Sequence, residues 1–263
     1  MTKIHRLLYL FGFICLYHTP QGTASDLAKE QRWSAQIVDS LIVGEPADLN
    51  AGDTPFLGIF SEASEGPSGR AVIVMHGMGA HPDWPEVVHP LRTTLPEHGW
   101  STLSIQMPIL ANDAALKDYL PLFDEVGPRI RAAVALLREK GNQTIILIGH
   151  SLGASMGAVY VAEDKQQGIS GFVSIGMSVI DIDDKMNSAV ALEKIRIPVL
   201  DLYGSRDLAA VIQSAKLRAK AARQADNPSY RQLQIEGADH FFIGLDEELT
   251  RRVYGWLKTN FEK

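Results

Sequence analysis

Short β-prone segments alternate with amphipathic segments along most of the chain. Most of the β-prone segments are continuous apolar runs, which are typical of parallel strands buried on both faces. Between them, apolar residues recur at helical spacing. The segments predicted as core strands are 70–75, 101–107, 144–148, 171–175, 198–203 and 231–235. This alternation predicts an α/β fold in which a mostly parallel sheet has helices on both faces.

Turn and capping residues predict the other elements. Asp83 and Glu86 have the spacing of a capping box, and the following helix is expected to begin there. A kink is expected near 127–128, where Gly precedes Pro inside a long helical segment. The predicted helices are 83–97, 113–140, 152–163, 208–224 and 246–261. The predicted upstream elements are strands at 35–43 and 56–60, with Pro46 and a turn at 50–53 between them.

Composition and charge restrict the class of protein. The chain has 263 residues, of which 46% are hydrophobic and 21% charged, and its net charge is −6. These values are typical of a globular protein, and the length suits one large domain. A negative chain without a basic run lacks the electrostatic footprint of a nucleic-acid-binding protein. Nucleic acid is therefore not expected as a partner.

The first 24 residues have the pattern of a secretory signal peptide. Two basic residues precede an apolar stretch at 7–17, and small residues follow, with cleavage expected after Ala24. The stretch is shorter than the ~20 residues that span a bilayer, so no stable membrane span is expected after cleavage. Cys15 is the single cysteine and lies in this segment. We therefore expect a cysteine-free domain over 25–263 that is periplasmic or secreted; the alternative is a leader retained as an anchor.

A serine stands at the apex of a strand–turn–helix segment. Gly149-His150-Ser151-Leu152-Gly153 follows the predicted strand at 144–148 directly. Glycines flank the serine because the turn is strained and neighbouring backbone passes close by. This arrangement is typical of a nucleophile elbow, so Ser151 is the candidate nucleophile. A glycine-rich turn without chemistry is the alternative interpretation.

A serine hydroxyl needs a base, and the base needs a group that orients it. After a nucleophile elbow the acid and then the histidine follow in chain order. Asp207 follows one core strand and His240 follows the last one, which makes them the candidate acid and base. Asp207 is alternatively a helix N-cap, and Asp239 is expected to shape the histidine loop. The alternative acids are Asp181, Asp183 and Asp184.

Negative charge that develops on the reacting carbonyl oxygen needs preorganised N–H donors. One donor is expected to be the backbone N–H of Leu152, which follows the nucleophile. The second is expected in the loop His76-Gly77-Met78-Gly79, with the backbone N–H of Met78 as the candidate. His76 is expected to support this loop, although a general-base role is the alternative. No motif for a metal or a cofactor is present, and we expect neither.

The pocket is expected to be small. Candidate pocket residues are His76, Gly77, Trp84 and Met177. Trp84 either contacts substrate or packs at the helix start. The stretch between 181 and 195 is short and polar, so a large apolar lid is not expected. Small or soluble acyl substrates are therefore favoured over bulk lipid.

From Arg70 onward the chain resembles the α/β-hydrolase superfamily, on the basis of the His-Gly loop, the elbow and the later Asp and His. The segment 76–85, together with 90–92 and 99–104, is similar to a bacterial family of exported hydrolase-like proteins of unassigned function. The resemblance implies the α/β-hydrolase fold and serine hydrolase chemistry, and the short stretch at 181–195 implies a minimal lid. An exported carboxylesterase-like enzyme is our interpretation. A non-catalytic binding or envelope-assembly module on the same fold is the main alternative, and a peptidase or acyltransferase is a third.

Overall fold

The computed structural model describes residues 24–163 and 168–262. Cys15 and most of the predicted leader lie outside these residues. The division into a leader at 1–24 and a domain at 25–263 therefore stays a prediction. Within the described part, no helix is both long enough and apolar enough to span a membrane.

Eight strands of the described residues form one sheet in the order β1-β2-β4-β3-β5-β6-β7-β8. The first two strands pair antiparallel, β2 runs antiparallel to β4, and all later pairs are parallel. The strands are β1 (Glu45–Ala51), β2 (Thr54–Ser61), β3 (Arg70–Met75), β4 (Ser101–Ile105), β5 (Thr144–His150), β6 (Gly171–Ile175), β7 (Val199–Gly204) and β8 (Tyr230–Ile235). The carboxyl ends of β3, β5, β6, β7 and β8 consequently meet at one edge, where ligands bind in such sheets.

The helices cover both faces of this sheet. They are α1 (Leu27–Ser40), α2 (Val88–Thr94), α3 (Phe123–Glu139), α4 (Leu152–Glu163), α5 (Ser188–Leu192), α6 (Ala209–Gln224) and α7 (Asp246–Phe261). Short 3₁₀ segments cover Leu95–His98, Leu116–Leu122 and Asp184–Met186. In β3, Ile73 packs in the core with α3 and α4, whereas its neighbours Val72 and Val74 pack with α2 and α7. This alternation explains the continuous apolar run, because side chains on both faces of the strand are buried.

The predicted fold class is confirmed, because the sheet is mostly parallel and has helices on both faces. The segment between β6 and β7 contains only a 3₁₀ turn and the five-residue helix α5, so the lid is minimal. The helices after β5 and β8 have the predicted limits. The helix after β8 has a clear apolar period, whereas the helix after β5 is buried along most of its length and directly follows the glycine-flanked turn.

The strand predicted at 35–43 is wrong, because most of this segment belongs to α1. Asp26 caps the helix, and its side chain accepts a hydrogen bond from the backbone N–H of Lys29. Apolar side chains of this segment recur at four-residue spacing and pack against Leu57 and Ile59 of β2. They belong to Trp33, Ile37 and Leu41. The helical period and the N-cap outweigh the local β-propensity of 35–43.

Other predicted limits are also wrong. The helix predicted at 113–140 becomes an α-helix only at Phe123, after the 3₁₀ segment Leu116–Leu122. Asp83 does not open a helix, because α2 begins only at Val88. Its carboxylate instead accepts hydrogen bonds from Arg92 Nε and His89 Nδ1, both at 2.7 Å. Pro46, predicted between strands, lies within β1, which an edge strand tolerates because one side of it makes no ladder bonds.

Candidate active site

The elbow between β5 and α4 holds Ser151 in a strained backbone conformation. Its φ is 55°, which non-glycine residues rarely adopt, and its N–H donates to the carbonyl of Ile175 at 2.8 Å. A Cβ on Gly149 would lie 2.6 Å from Ala154 Cα, and one on Gly153 would lie 2.3 Å from the carbonyl oxygen of His76. Both glycines are therefore required by close backbone approach, and the turn presents the half-buried serine at the carboxyl edge of the sheet.

Three side chains from three loops form a continuous hydrogen-bonded chain. Ser151 Oγ lies 2.9 Å from His240 Nε2, and His240 Nδ1 lies 2.6 Å from Asp207 Oδ1. Both His240 and Asp207 are 6% exposed. Because the carboxylate holds Nδ1–H, Nε2 is left free to accept the serine proton.

The Asp207 carboxylate is held in its charged form. Burial by itself raises the pKa of this carboxyl, but hydrogen bonding and the charge of His240 oppose it. The backbone N–H groups of Gly204 and Leu208 also donate to the carboxylate, at 3.2 and 2.7 Å. The net result is a pKa below the ordinary value. The alternative acids Asp181, Asp183 and Asp184 are all exposed, and Asp183 only caps the neighbouring 3₁₀ turn.

Gly176, at the end of β6, lies directly against the ring of His240. A Cβ at this position would be 2.9 Å from His240 Cε1 and 3.5 Å from Asp207 Oδ2. Its φ of 61° also disfavours any side chain. This glycine therefore allows the imidazole to lie flat against the sheet edge.

The His76 ring holds the loop after β3. Its Nε2 accepts from the backbone N–H of Met107 at 2.9 Å, so the hydrogen of the neutral ring is on Nδ1. Nδ1–H then donates to the carbonyl of Gly77 at 2.8 Å. Burial lowers the pKa of His76 to about 3, which keeps the ring neutral. A buried neutral imidazole whose two nitrogens are both engaged fits loop support and not proton transfer at the serine.

The hydrogen bond from His76 Nδ1–H to the Gly77 carbonyl, here called the clamp, also orients the backbone N–H of Met78. The carbonyl of Gly77 and the N–H of Met78 share one planar peptide unit and point in opposite directions. Gly77 packs against the candidate nucleophile, since a Cβ there would lie 2.9 Å from Ser151 Cβ. Among the described residues, no acceptor receives a hydrogen bond from the backbone N–H of Met78 or of Leu152. Two unpaired donors thus flank the serine from the oxyanion loop and from the first turn of α4.

A family model described as a protein of unknown function, DUF3530, matches residues 18–121 and 120–259 of the chain. The chain belongs to the DUF3530 family. No curated protein matches it in sequence.

Solved structures resembling this DUF3530 protein are α/β hydrolases. An esterase of Pyrococcus furiosus aligns with a TM-score of 0.68 and 17% identity, covering 85% of this chain and 93% of the esterase. Est1E from Butyrivibrio proteoclasticus aligns at 0.65 and 17%, covering 84% and 100%. A dienelactone hydrolase from Anabaena variabilis aligns at 0.63 and 21%, covering 82% and 97%. At such identities the likeness establishes the α/β-hydrolase fold.

The other predicted pocket residues of the DUF3530 protein lie mainly in packing positions. Met177 is fully buried in the core, so its side chain lines no open pocket. Trp84 packs with the core on the α2 face and contacts the ring of His81 edge-on at 5.3 Å. Of the predicted set, Gly77 lies against Ser151 and His76 holds the loop that contains Gly77, whereas Trp84 and Met177 pack in the surroundings.

Exposed apolar side chains follow four of the strands that end at the same sheet edge as Ser151. Single exposed apolar side chains are common on protein surfaces, but a group of them at one edge is typical of a contact site. The Phe241 ring lies edge-on to the His240 ring at 5.2 Å. These exposed residues are Met78, Ile182, Leu208, Phe241 and Ile243, here called the apolar rim.

His150 supports the histidine loop, a role that the sequence did not indicate. Its Nε2–H donates to the backbone carbonyl of His240 at 2.9 Å, and the two rings lie 4.9 Å apart. Burial lowers the pKa of His150 to about 4. The residue stands inside the elbow motif, but a motif gives no direction for its side chain. Tyr119 was also missed; its hydroxyl accepts a hydrogen bond from the backbone N–H of Leu110 at 3.3 Å.

Within the ranges the structure describes, no group of three or more His, Cys, Asp or Glu side chains is placed to hold a metal ion. The charged and polar groups at the strand ends are instead engaged in the serine–histidine–aspartate chain and in the supports of the two loops. The arrangement is suited to nucleophilic attack by the serine with proton transfer through the histidine.

Proposed function

We propose that this protein is a serine hydrolase that cleaves an ester or a related acyl bond through an acyl-enzyme. The observation that carries the proposal is the chain of hydrogen bonds from Ser151 Oγ through His240 to Asp207, at 2.9 and 2.6 Å. These distances lie within the range that proton transfer requires.

In the acylation step, Ser151 Oγ attacks the acyl carbon while His240 Nε2 takes the hydroxyl proton. The resulting oxyanion is stabilised by the backbone N–H groups of Met78 and Leu152. As the tetrahedral intermediate collapses, protonated His240 gives its proton to the leaving oxygen. Asp207 stabilises the imidazolium and keeps the ring oriented.

Deacylation repeats the sequence with water as the nucleophile. His240 takes a proton from water, the hydroxide adds to the acyl-enzyme carbonyl, and the proton then returns to Ser151 Oγ. The products are a carboxylic acid and a free serine. No cofactor is required by these steps.

The substrate we propose is a small or soluble ester with an apolar part. The minimal lid leaves no large apolar cover for a lipid chain, and the apolar rim offers contact area for a modest acyl or alcohol group. Among the structural neighbours, one Est1E structure is described with ferulic acid bound, a property of that protein. For this chain it motivates including aromatic esters among the substrates tested.

We also propose that the enzyme acts in the periplasm or is secreted. The basis is the leader pattern of the first 24 residues. A non-catalytic binding module is the competing function. Such a module would not require a histidine base hydrogen-bonded to Ser151. The hydrogen bond between Ser151 and His240 favours the hydrolase.

Turnover of a panel of esters tests the function. Aryl and alkyl esters of increasing acyl length, with matching amides, are assayed with the wild-type protein and with Ser151→Ala. We expect ester hydrolysis that the substitution reduces to background. Ser64→Ala, on an exposed loop, is the matched control and should leave the rate unchanged. A folded wild-type protein without turnover on any member would support the binding-module alternative.

A further inference from the structure

The first described residues are bound to α3, 100 positions further along the chain. Glu125 Oε1 accepts from the backbone nitrogens of Ala24 at 2.7 Å and Ser25 at 3.1 Å. Glu125 Oε2 accepts from Ser25 Oγ at 2.7 Å. The Glu125 carboxylate therefore accepts hydrogen bonds from both the main-chain nitrogen and the hydroxyl of Ser25.

The two carboxylates near this contact, those of Glu30 and Glu125, share a single arginine, so one negative charge is left without a cation. Arg129 bonds Glu30 with two nitrogens, at 2.8 and 3.2 Å, and lies 3.6 Å from Glu125. The side chains of Arg129, Glu30 and Glu125 are 1%, 5% and 17% exposed. One guanidinium thus faces two carboxylates in a largely desolvated site. Burial raises the pKa of Glu30, and the charge of Glu125 adds to this effect.

The other charged groups near this contact are already engaged. Lys29 Nζ bonds the carbonyl of Leu110 and the side chain of Asn112. The Asp26 carboxylate caps α1, and Asp124 pairs with Lys185. The charges of Lys29 and Asp26 are opposite in sign, and Asp124 has its own lysine, so Glu125, which shares Arg129 with Glu30, is the carboxylate without a cation of its own.

We propose that Ser25 is the amino terminus of the mature protein and that its α-ammonium forms an ion pair with Glu125. The inference rests on the proposed export but not on the proposed catalytic activity. A leader peptidase hydrolyses the Ala24–Ser25 bond: the oxygen of water ends the leader as a carboxylate, and the two protons of water turn the released nitrogen into an ammonium. Gly22 and Ala24 supply the small residues that such a peptidase requires before the cut.

Cleavage of the leader then places the missing positive charge on the Ser25 nitrogen, which already lies beside Glu125. The cleaved nitrogen keeps its position 3.1 Å from Glu125 Oε1, and the hydroxyl contact of Ser25 persists. Four groups then balance: two carboxylates, one guanidinium and one ammonium. The anchored end leads into α1, whose Trp33 contacts His81 beside the oxyanion loop at 5.4 Å. The processed terminus thereby stabilises a helix that packs near the active site.

The first test is the processed end itself. The full chain is expressed in a bacterial secretion host, and the amino terminus of the exported protein is read by mass spectrometry. We expect Ser25. On the same protein, the pH dependence of α-amine acetylation by limiting anhydride gives the amine pKa. We expect about one unit above the ordinary value of about 7.7–8.0. A different first residue, or an amine pKa at or below that range, overturns the proposal.

The second test separates an ion pair from a neutral clamp. Glu125→Gln is made in a chain beginning at Ser25 and in one retaining Gly22 to Ala24, and Glu139→Gln, exposed on the same helix, is the control. At pH 6.5 we expect Glu125→Gln to lower the Tm of the Ser25 chain by about 2–4 °C more than that of the longer chain. The difference should vanish near pH 10, where the amine is neutral. Equal losses in both chains at both pH values would contradict the ion pair. Ester hydrolysis is irrelevant to either result, so failure here is distinct from failure of the proposed function.

Discussion

Substitutions at His76 separate its two hydrogen-bonding roles. The ring donates through Nδ1 to Gly77 and accepts through Nε2 from Met107. In His76→Asn, the amide nitrogen takes the place of Nδ1 and keeps the clamp on the Gly77 carbonyl. In His76→Gln, the amide oxygen takes the place of Nε2 and keeps the contact with Met107 while the clamp is lost. Each variant therefore removes one role.

The expected magnitudes differ between stability and rate. His76→Asn leaves the buried backbone N–H of Met107 without its acceptor, which costs about 1–3 kcal/mol of unfolding free energy. His76→Gln should cost less, because the Gly77 carbonyl still accepts from the backbone N–H of Ala80 at 3.3 Å. Removing one oxyanion donor typically lowers kcat by about 10²–10³-fold. Loss of the clamp leaves the Met78 N–H present but less well oriented, so we expect His76→Gln to lower kcat by about 10–100-fold. His76→Asn should lower it less than about fivefold, since the donor to Gly77 is kept.

The assay is steady-state hydrolysis of the best ester from the panel, with chemical denaturation of the same samples. KM should change little in His76→Gln, because the oxyanion forms only in the transition state. The reasoning is refuted if both variants lose kcat equally, or if the loss of kcat follows the loss of stability regardless of which contact is removed.

Other substitutions test the remaining parts of the site. Asp207→Asn should lower kcat by about 10⁴-fold, because the histidine loses its orienting charge, whereas the exposed Asp183→Asn should not; equal rates would reject the assigned acid. Gly77→Ala places a Cβ 2.9 Å from that of the nucleophilic serine and should lower kcat at least about 10²-fold, while Gly255→Ala, with open space around it, should stabilise α7 by up to about 1 kcal/mol; an active Gly77→Ala enzyme would contradict the close approach. For His150, the folded pKa of about 4 lies below the unfolded value of about 6.5, so its contribution to stability is present above pH 6.5 and lost as pH falls toward 4. The stability difference between wild type and His150→Asn, measured by urea unfolding, should therefore shrink by up to about 1.4 kcal/mol per pH unit in that window; a constant difference would show that His150 does not titrate as inferred.

The central sheet was predictable because its strands combine continuous apolar runs with turn residues. The segments at 70–75 and 171–175 have the predicted limits, since burial on both faces leaves a strong local pattern. The segment at 35–43 was assigned to the wrong element. Its helical period begins further upstream at Leu27, where the N-cap was not recognised.

The candidate triad follows from motifs whose residues lie next to strand ends. Ser151, Asp207 and His240 each stand in a loop that the fold brings to one edge of the sheet. The supporting residues have no such signal. His150 acts on a backbone group 90 positions further along the chain, and only the three-dimensional structure brings the two together. The hydrogen bonds between Glu125 and Ser25 join positions 100 residues apart, so the sequence gives no local signal for them either.

The central claim is that Ser151 is an activated nucleophile, and covalent labelling tests it most directly. The protein is incubated with a fluorophosphonate probe and digested, and the modified peptide is identified by mass spectrometry. The account predicts one adduct per molecule on Ser151, lost in Ser151→Ala and strongly slowed in Asp207→Asn. A folded wild-type protein that stays unlabelled, or carries the adduct on another residue, would contradict it.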